Sequence, residues 1–240
     1  MSKDVIAIIN DYPTQTKFRR TCINSIKQYA QQIGRPIIEY KTEEIQFEGA
    51  TPHWKKISLI KSFVEDPQFE EYDNLLYIDT DIFFNKKSSI DGLPNENNIF
   101  YWFHKQNVDF MAVGDFCMHE EWIQDFRGEI LKHYQLECPH FYSYFNSGVL
   151  VLNKKAAKAI LGVAIQHPPI ESLRGSNYEQ GYFNFLVIKS VLEEGMRYRE
   201  LGTMWNNIVL SEGNCSLGIF NHFAGPFEFK LEPFRKRWNV

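Results

Sequence analysis

Between Val5 and Ile78 the chain alternates three short apolar runs with two amphipathic stretches, and this order narrows the fold more than any other feature. Val5 to Ile9 is an unbroken, mostly β-branched run of the kind that forms a strand covered on both faces. It ends at the polar turn Asn10-Asp11-Tyr12-Pro13. From about Thr16 to Gln32, the residues Phe18, Cys22, Ile26, Tyr29 and then Ile33 recur at helical spacing, and Gly34 and Pro36 close the helix they predict. Pro36 to Tyr40 reads as a second strand. Trp54 to Val64 reads as a second helix with Ile57, Ile60 and Val64 facing inward, and Leu75 to Ile78 as a third strand. Such an order is that of right-handed β-α-β units, so the expected fold is α/β, a mainly parallel central sheet flanked by helices.

The second half is more mixed. A strand at Phe110 to Val113, a helix around Glu120 to His133, a run from Ser147 to Leu152, a small helix over Lys155 to Gly162 and a helix near Gln180 to Leu192 are expected. No internal repeat and no Gly- or Ser-rich linker divides the 240 residues, which read as one domain whose residues 1–85 form a nucleotide-binding type of half. A net charge of -4 lacks the basic signature of a broad nucleic-acid surface, so no nucleic-acid partner is expected. No apolar run approaches the ~20 residues needed to span a bilayer. The start, Met1-Ser2-Lys3-Asp4, lacks the pattern of a secretory leader, and a cytoplasmic location is the expectation. Cys22, Cys117, Cys138 and Cys215 are scattered, without metal-ligand spacing, and read as free thiols.

The chemistry concentrates in Leu75-Leu76-Tyr77-Ile78-Asp79-Thr80-Asp81-Ile82-Phe83-Phe84. Read as one extended strand, it sends Asp79 and Asp81 to the same face with Cα atoms about 6.6 Å apart. Two carboxylates converging in an apolar setting repel each other and lose hydration, and a divalent cation relieves both costs. Oxygen ligands of this kind suit Mn²⁺ or Mg²⁺, which complete their shells with water and substrate phosphate. Ligands of open α/β sheets bind outside the carboxyl ends of the strands, where these acids stand. The plainer reading is a polar loop with two solvated acids.

A phosphatase of the haloacid-dehalogenase type also ends a buried strand on an acidic pair. Its strand normally lies near the chain start, and a second acidic pair follows later; here no later Asp-Asp pair exists. The chain more closely resembles the metal-dependent GT-A glycosyltransferases, in particular the retaining types typified by glycogenin and bacterial galactosyltransferases, and by plant and fungal xylosyl- and galactosyltransferases. His53-Trp54-Lys55-Lys56-Ile57-Ser58-Leu59-Ile60-Lys61 is similar to their W-x-K-I-x-L-(I/L)-(K/R) helix. Phe145-Asn146-Ser147-Gly148-Val149-Leu150-Val151-Leu152-Asn153 is similar to F-N-(A/S/T)-G-V-(L/F)-(L/V)-(I/L). Glu179-Gln180 matches a (D/E)-Q dyad, and His222-Phe223-Ala224-Gly225 a closing H-(F/Y)-x-G. With the D-x-D pair, these motifs follow the family's order through most of the chain.

The resemblance implies a UDP-sugar or related donor, a glycan or glycoconjugate acceptor reached through residues 86–240, and retention of anomeric configuration. It implies Asp79, Asp81 and His222 as metal ligands, Glu179 on sugar hydroxyls, and Gln180 on the sugar face opposite the leaving group. It also places Asp115 near donor or acceptor sugar, Asn146 and Ser147 in the donor pocket, and Gly225 against the diphosphate. Two readings stand for Lys56, a donor contact or part of a solvated helix face. For Lys230, offset from the family's position at Glu228, they are a phosphate contact or a surface lysine. Asn10, Asp11 and Tyr12 fall where such folds read the base, with Tyr12 offering a ring. The aromatic clusters Phe100 to His104 and Phe141 to Phe145 read as acceptor-stacking rings or as core. The tail Phe234-Arg235-Lys236-Arg237-Trp238 suits weak contact with an anionic membrane surface or a short solvated end. A carbohydrate-binding module that holds a cation and performs no chemistry is the rival from another class.

Overall fold

The computed structural model describes residues 3–10, 16–41, 54–86, 97–115, 126–140, 142–170, 178–209, 218–223 and 236. Among them run β1 (Asp4–Ile9), α1 (Lys17–Gln32), β2 (Ile37–Tyr40), α2 (Lys55–Glu65), β3 (Asn74–Ile78), β4 (Ile82–Phe84), α3 (Ile99–Gln106), β5 (Phe110–Gly114), β6 (Phe145–Asn153), α4 (Lys154–Gln166), α5 (Tyr178–Glu194), β7 (Tyr198–Leu201), β8 (Asn207–Ile208) and β9 (Phe220–His222). Thr16, expected as the first helical residue, caps α1 instead by accepting from the Arg19 N–H. Asn98 and Asn153 cap α3 and α4 in the same way.

A six-stranded sheet in the order β2-β1-β3-β6-β5-β7 forms the centre. Only β6 runs against the other strands, so the sheet is mainly parallel, as expected. Strand alternation divides the core between two layers. Val5, Ala7, Leu75, Tyr77, Phe110, Ala112, Leu150 and Leu152 face the layer of α2, α4 and α5. Ile6, Ile8, Leu76, Ile78, Met111, Val113, Val149 and Val151 face that of α1 and α3. Because both faces are covered, every residue of β1, β3 and β5 is buried, which is why their sequences read as continuous apolar runs.

Several expectations change. Leu75 to Phe84 is not one strand: β3 ends at Ile78, the chain turns at residues 79–81 with the Ile82 N–H on the Asp79 carbonyl at 3.3 Å, and β4 joins a second sheet of order β4-β9-β8. Phe100 to His104 belongs to α3, whose Phe100 and Phe103 are core residues, and Tyr142, Tyr144 and Phe145 are core as well. In the described part of the helix expected from Glu120 to His133, Phe126–Leu131 is π-helical and only residues 132–133 are α-helical. Among the described residues Cys22 and Cys138 form no disulfide, and no helix is long and apolar enough to cross a membrane. Asp11, Tyr12, Gly225, Lys230 and the tail apart from Lys236 lie outside the described residues.

Candidate active site

Topology gathers the chemistry at one edge. The carboxyl ends of β1, β3 and β5, the amino end of the antiparallel β6 and the amino ends of α2 and α5 all open there. At this edge β5 and β6 slip in register, Ala112 facing Leu150 while Val113 faces Asn146. Such an irregularity re-aims side chains next to a site, here Asn146 and Ser147.

Asp79 and Asp81 come together through the turn rather than through strand alternation. The Asp79 N–H donates to the Gly148 carbonyl at 2.9 Å, tying the turn to β6. Antiparallel pairing of β4 with β9 sets Ile82 opposite His222, and the Phe223 N–H donates to the Asp81 carbonyl at 3.1 Å. One ligand atom each from Asp79, Asp81 and His222 lies within 4.8 Å of the others, a spacing that one cation can bridge. Asp81 Oδ1 is buried without a hydrogen bond, and His222 Nε2 approaches it at 3.3 Å. An orphaned carboxylate oxygen facing a ring nitrogen is a donor set that Mn²⁺ or Mg²⁺ fits. Burial opposes ionisation of Asp81, but the field of His222 holds its carboxyl at about 2. Burial likewise opposes charge on His222, and the nearby Asp81 carboxylate lifts its ring above the ordinary value.

Beside these three, Lys56 is buried at the first turn of α2, a poor place for a cation because the helix dipole is positive there. Its partners account for it. Lys56 Nζ donates to Ser147 Oγ at 2.7 Å and lies 3.3 Å from Asp79 Oδ2 and 3.7 Å from Glu179 Oε2. Burial disfavours the charged amine, yet Asp79 and Glu179 keep it above its usual value. The solvated-face reading of Lys56 is thereby overturned. Tyr77 donates to Asp79 Oδ1 from within β3.

Glu179 and Gln180 open α5. Burial pushes the Glu179 carboxyl up to about 7, against the pull of Lys56, and its Oε1 has no hydrogen-bond partner. Gln180 is held at both ends: Oε1 accepts from the Ser147 N–H at 3.2 Å, and Nε2 donates to Asp115 Oδ2 at 2.9 Å. Asp115, Asn146 and Ser147 are all buried. Asn10 sits at the end of β1 on the same edge, where its amide donates to Glu39 of β2 at 2.6 Å.

Three contributors carried no sequence signal. Asn184, one turn after Gln180, accepts from the Phe145 N–H and donates to the Phe145 carbonyl, both at 2.9 Å, locking α5 onto β6; only its helical spacing from Gln180 could have pointed to it. Arg19 of α1 donates to Thr80 Oγ1 at 3.1 Å and braces the acidic turn. Asn206 accompanies the His222 ring at 3.1 Å.

No protein-family model matches the chain, and no curated protein matches its sequence. Solved structures do match. A glycosyltransferase involved in the glycosylation of the major capsid of PBCV-1 aligns over 98% of this chain and 99% of its own, with TM-score 0.58 and 17% identity. Mouse xyloside xylosyltransferase 1, in its apo form, aligns over 95% and 99% with TM-score 0.47 and 13% identity. A Drosophila galactosyltransferase 7 mutant, solved with manganese, UDP-Gal and xylobiose, aligns over 96% and 74% with TM-score 0.46 and 10% identity. The chain thus has the GT-A fold of glycosyltransferases, with its acidic turn, imidazole and buried lysine gathered at the carboxyl edge of the sheet.

Proposed function

We propose that the protein is a metal-dependent, retaining glycosyltransferase that moves a sugar from a nucleotide diphosphate sugar, a UDP-sugar by its motifs, to a hydroxyl of a glycan or glycoconjugate. The observation that carries this reading is the convergence of Asp79, Asp81 and His222 beside buried Lys56 and Glu179 on a GT-A fold. Asp79, Asp81 and His222 would hold Mn²⁺ or Mg²⁺, which when bound neutralises charge on the departing diphosphate.

Glu179 and Lys56 then supply opposite polarities at the donor sugar. The unpartnered Glu179 Oε1 is an acceptor for a sugar hydroxyl, and Lys56, pinned by Ser147, steadies both Glu179 and Asp79. Gln180 has a carboxamide committed at both ends, which makes it a poor nucleophile. That supports front-face reaction, in which the acceptor hydroxyl enters on the side the diphosphate leaves and passes its proton to a phosphate oxygen. Asp115 orients the Gln180 amide and adds a carboxylate toward the acceptor side. Asn10 and, outside the described residues, Asp11, Tyr12, Gly225 and Lys230 are proposed contacts to base and diphosphate.

Calorimetry with Mn²⁺ and a panel of UDP- and GDP-sugars tests the donor, and NMR of the product tests retention. Asp81→Ala is expected to weaken Mn²⁺-dependent donor binding at least 100-fold and to abolish transfer. Full transfer by that variant, or by the wild type after chelation, would end the reading. Glycan affinity indifferent to nucleotide would favour the binding-module alternative, and release of inorganic phosphate from small phosphoesters the phosphatase.

A further inference from the structure

Asn206 lies between the short helical turn Thr203–Trp205 and β8, on a segment that supplies none of the residues assigned above. A relay of hydrogen bonds runs through it, and its polarity can be read from one end. The Gly148 N–H can only donate, and it meets Asn146 Oδ1 at 2.9 Å, so the Asn146 atom there is its carbonyl oxygen. That oxygen also receives the Asn206 side chain at 2.8 Å, which must therefore present its NH₂ group. The other end of the Asn206 amide, Oδ1, then faces His222 Nδ1 at 3.1 Å. A carbonyl oxygen only accepts, so Nδ1 carries the proton. A neutral imidazole has one N–H, which leaves Nε2 bare on the side of Asp81.

We infer that Asn206, anchored through Asn146 to the Gly148 backbone, is a positioning residue that selects the Nδ1-protonated form of His222 and aims the Nε2 lone pair at the cation site; this deepens the function proposed above and rests on it. Asn146, Asn206 and His222 are all buried, so bulk water cannot take over the bond to Nδ1. With the ring neutral, Nε2 and the orphaned Asp81 Oδ1, 3.3 Å apart, are two acceptors that a cation can join. Partners on the non-ligating nitrogen of a metal-bound histidine commonly contribute 10–100-fold to metal affinity.

The test uses the full chain labelled with ¹⁵N-histidine, free of metal, at alkaline pH where the ring is neutral. The His222 resonances are assigned by their loss in His222→Gln. Their ¹⁵N shifts should report a proton on Nδ1 and a bare Nε2; a proton on Nε2 in the wild-type chain would overturn the inference without any variant. In a second arm, free Mn²⁺ is followed by electron paramagnetic resonance. Asn206→Leu should weaken binding about 10–100-fold. Asn206→Asp keeps an oxygen for Nδ1–H but sets its other oxygen against Asn146 Oδ1, so it should recover only part of that loss. Equal affinity in Asn206→Leu and wild type would defeat the relay, whereas undiminished affinity in His222→Gln and Asp81→Asn would defeat the cation site itself.

Discussion

Gly148 shows how a single missing atom shapes the site. A Cβ built there would lie 2.9 Å from Asn146 Oδ1, 2.9 Å from His222 Cε1 and 3.1 Å from His222 Nδ1. Both neighbours are held by hydrogen bonds, so neither yields freely. Gly148→Ala is expected to cost about 2 kcal/mol of stability and to weaken Mn²⁺ binding by tilting the imidazole; thermal melts with and without Mn²⁺ read both effects. Glu179 carries a different cost. With its carboxyl at about 7 in the fold, against about 4.3 in an unfolded chain, the folded state keeps a proton that the unfolded state has released. Stability from this group is therefore full below about pH 4.3 and falls as pH rises toward and through 7. Glu179→Gln has no such proton to lose. In the absence of metal its stability relative to wild type should improve by about 2.5 kcal/mol between pH 5 and pH 8. A flat difference would show that burial does not hold Glu179 protonated. Asp79, Asp81 and His222 were legible as residue types, because acids amid apolar neighbours and a motif-borne histidine stand out in a sequence. Asn206 was not, since an asparagine of the Asn206-Asn207 pair has no periodicity to betray its partner.

Among the elements, α5 and β6 do the positioning. Asn184 treats Phe145 as a neighbouring strand would, pairing both its N–H and its carbonyl, and it also accepts from the Tyr142 hydroxyl at 3.0 Å. Asn184→Leu keeps the branching at Cγ, with somewhat more bulk, and strips these bonds, leaving buried backbone groups unpaired. The expected loss is about 3 kcal/mol, measured by urea unfolding, with Gln180 released from Ser147 as the functional consequence. Helices α1, α2 and α4 announce themselves by apolar stripes, α5 by a long run buried on every side, and strands β1, β3, β5 and β6 by nearly unbroken burial. Strands β4, β7, β8 and β9 are short, and β7 alternates with exposed polar residues at the sheet edge, so their pairing depends on partners distant in the chain. Local sequence hides the turn at residues 79–81 for the same reason: apolar residues on both sides of the acids look like one strand, although the two flanks serve different sheets.

Across the whole molecule, the end of the sheet away from the site is tied by Asp109. It receives Arg197 through both oxygens at 2.9 Å and 3.1 Å, Lys155 at 3.1 Å and Asn153 at 3.1 Å, joining β5 to the ends of β6 and α4 and the approach to β7. Burial works against this carboxylate, but Arg197 and its other donors hold it well below the ordinary range. Its contribution is present above the unfolded value near 4 and fades as pH falls through the folded one. Asp109→Asn should therefore be less stable by about 2 kcal/mol at neutral pH, with the gap to wild type narrowing in acid; a gap that widens on acidification would contradict this role. The order of apolar runs and stripes is a local property, and it determined the α/β class, most of the helices and the residue types available for chemistry, because period and burial are written into neighbouring positions. Which side chains meet was decided only by tertiary pairing. His222 reaches Asp81 because β9 lies against β4, and Lys56 reaches Glu179 because α2 and α5 both begin at the carboxyl edge of the sheet. Neither contact follows from local sequence, since each joins segments more than a hundred residues apart that alternation and helical spacing cannot relate.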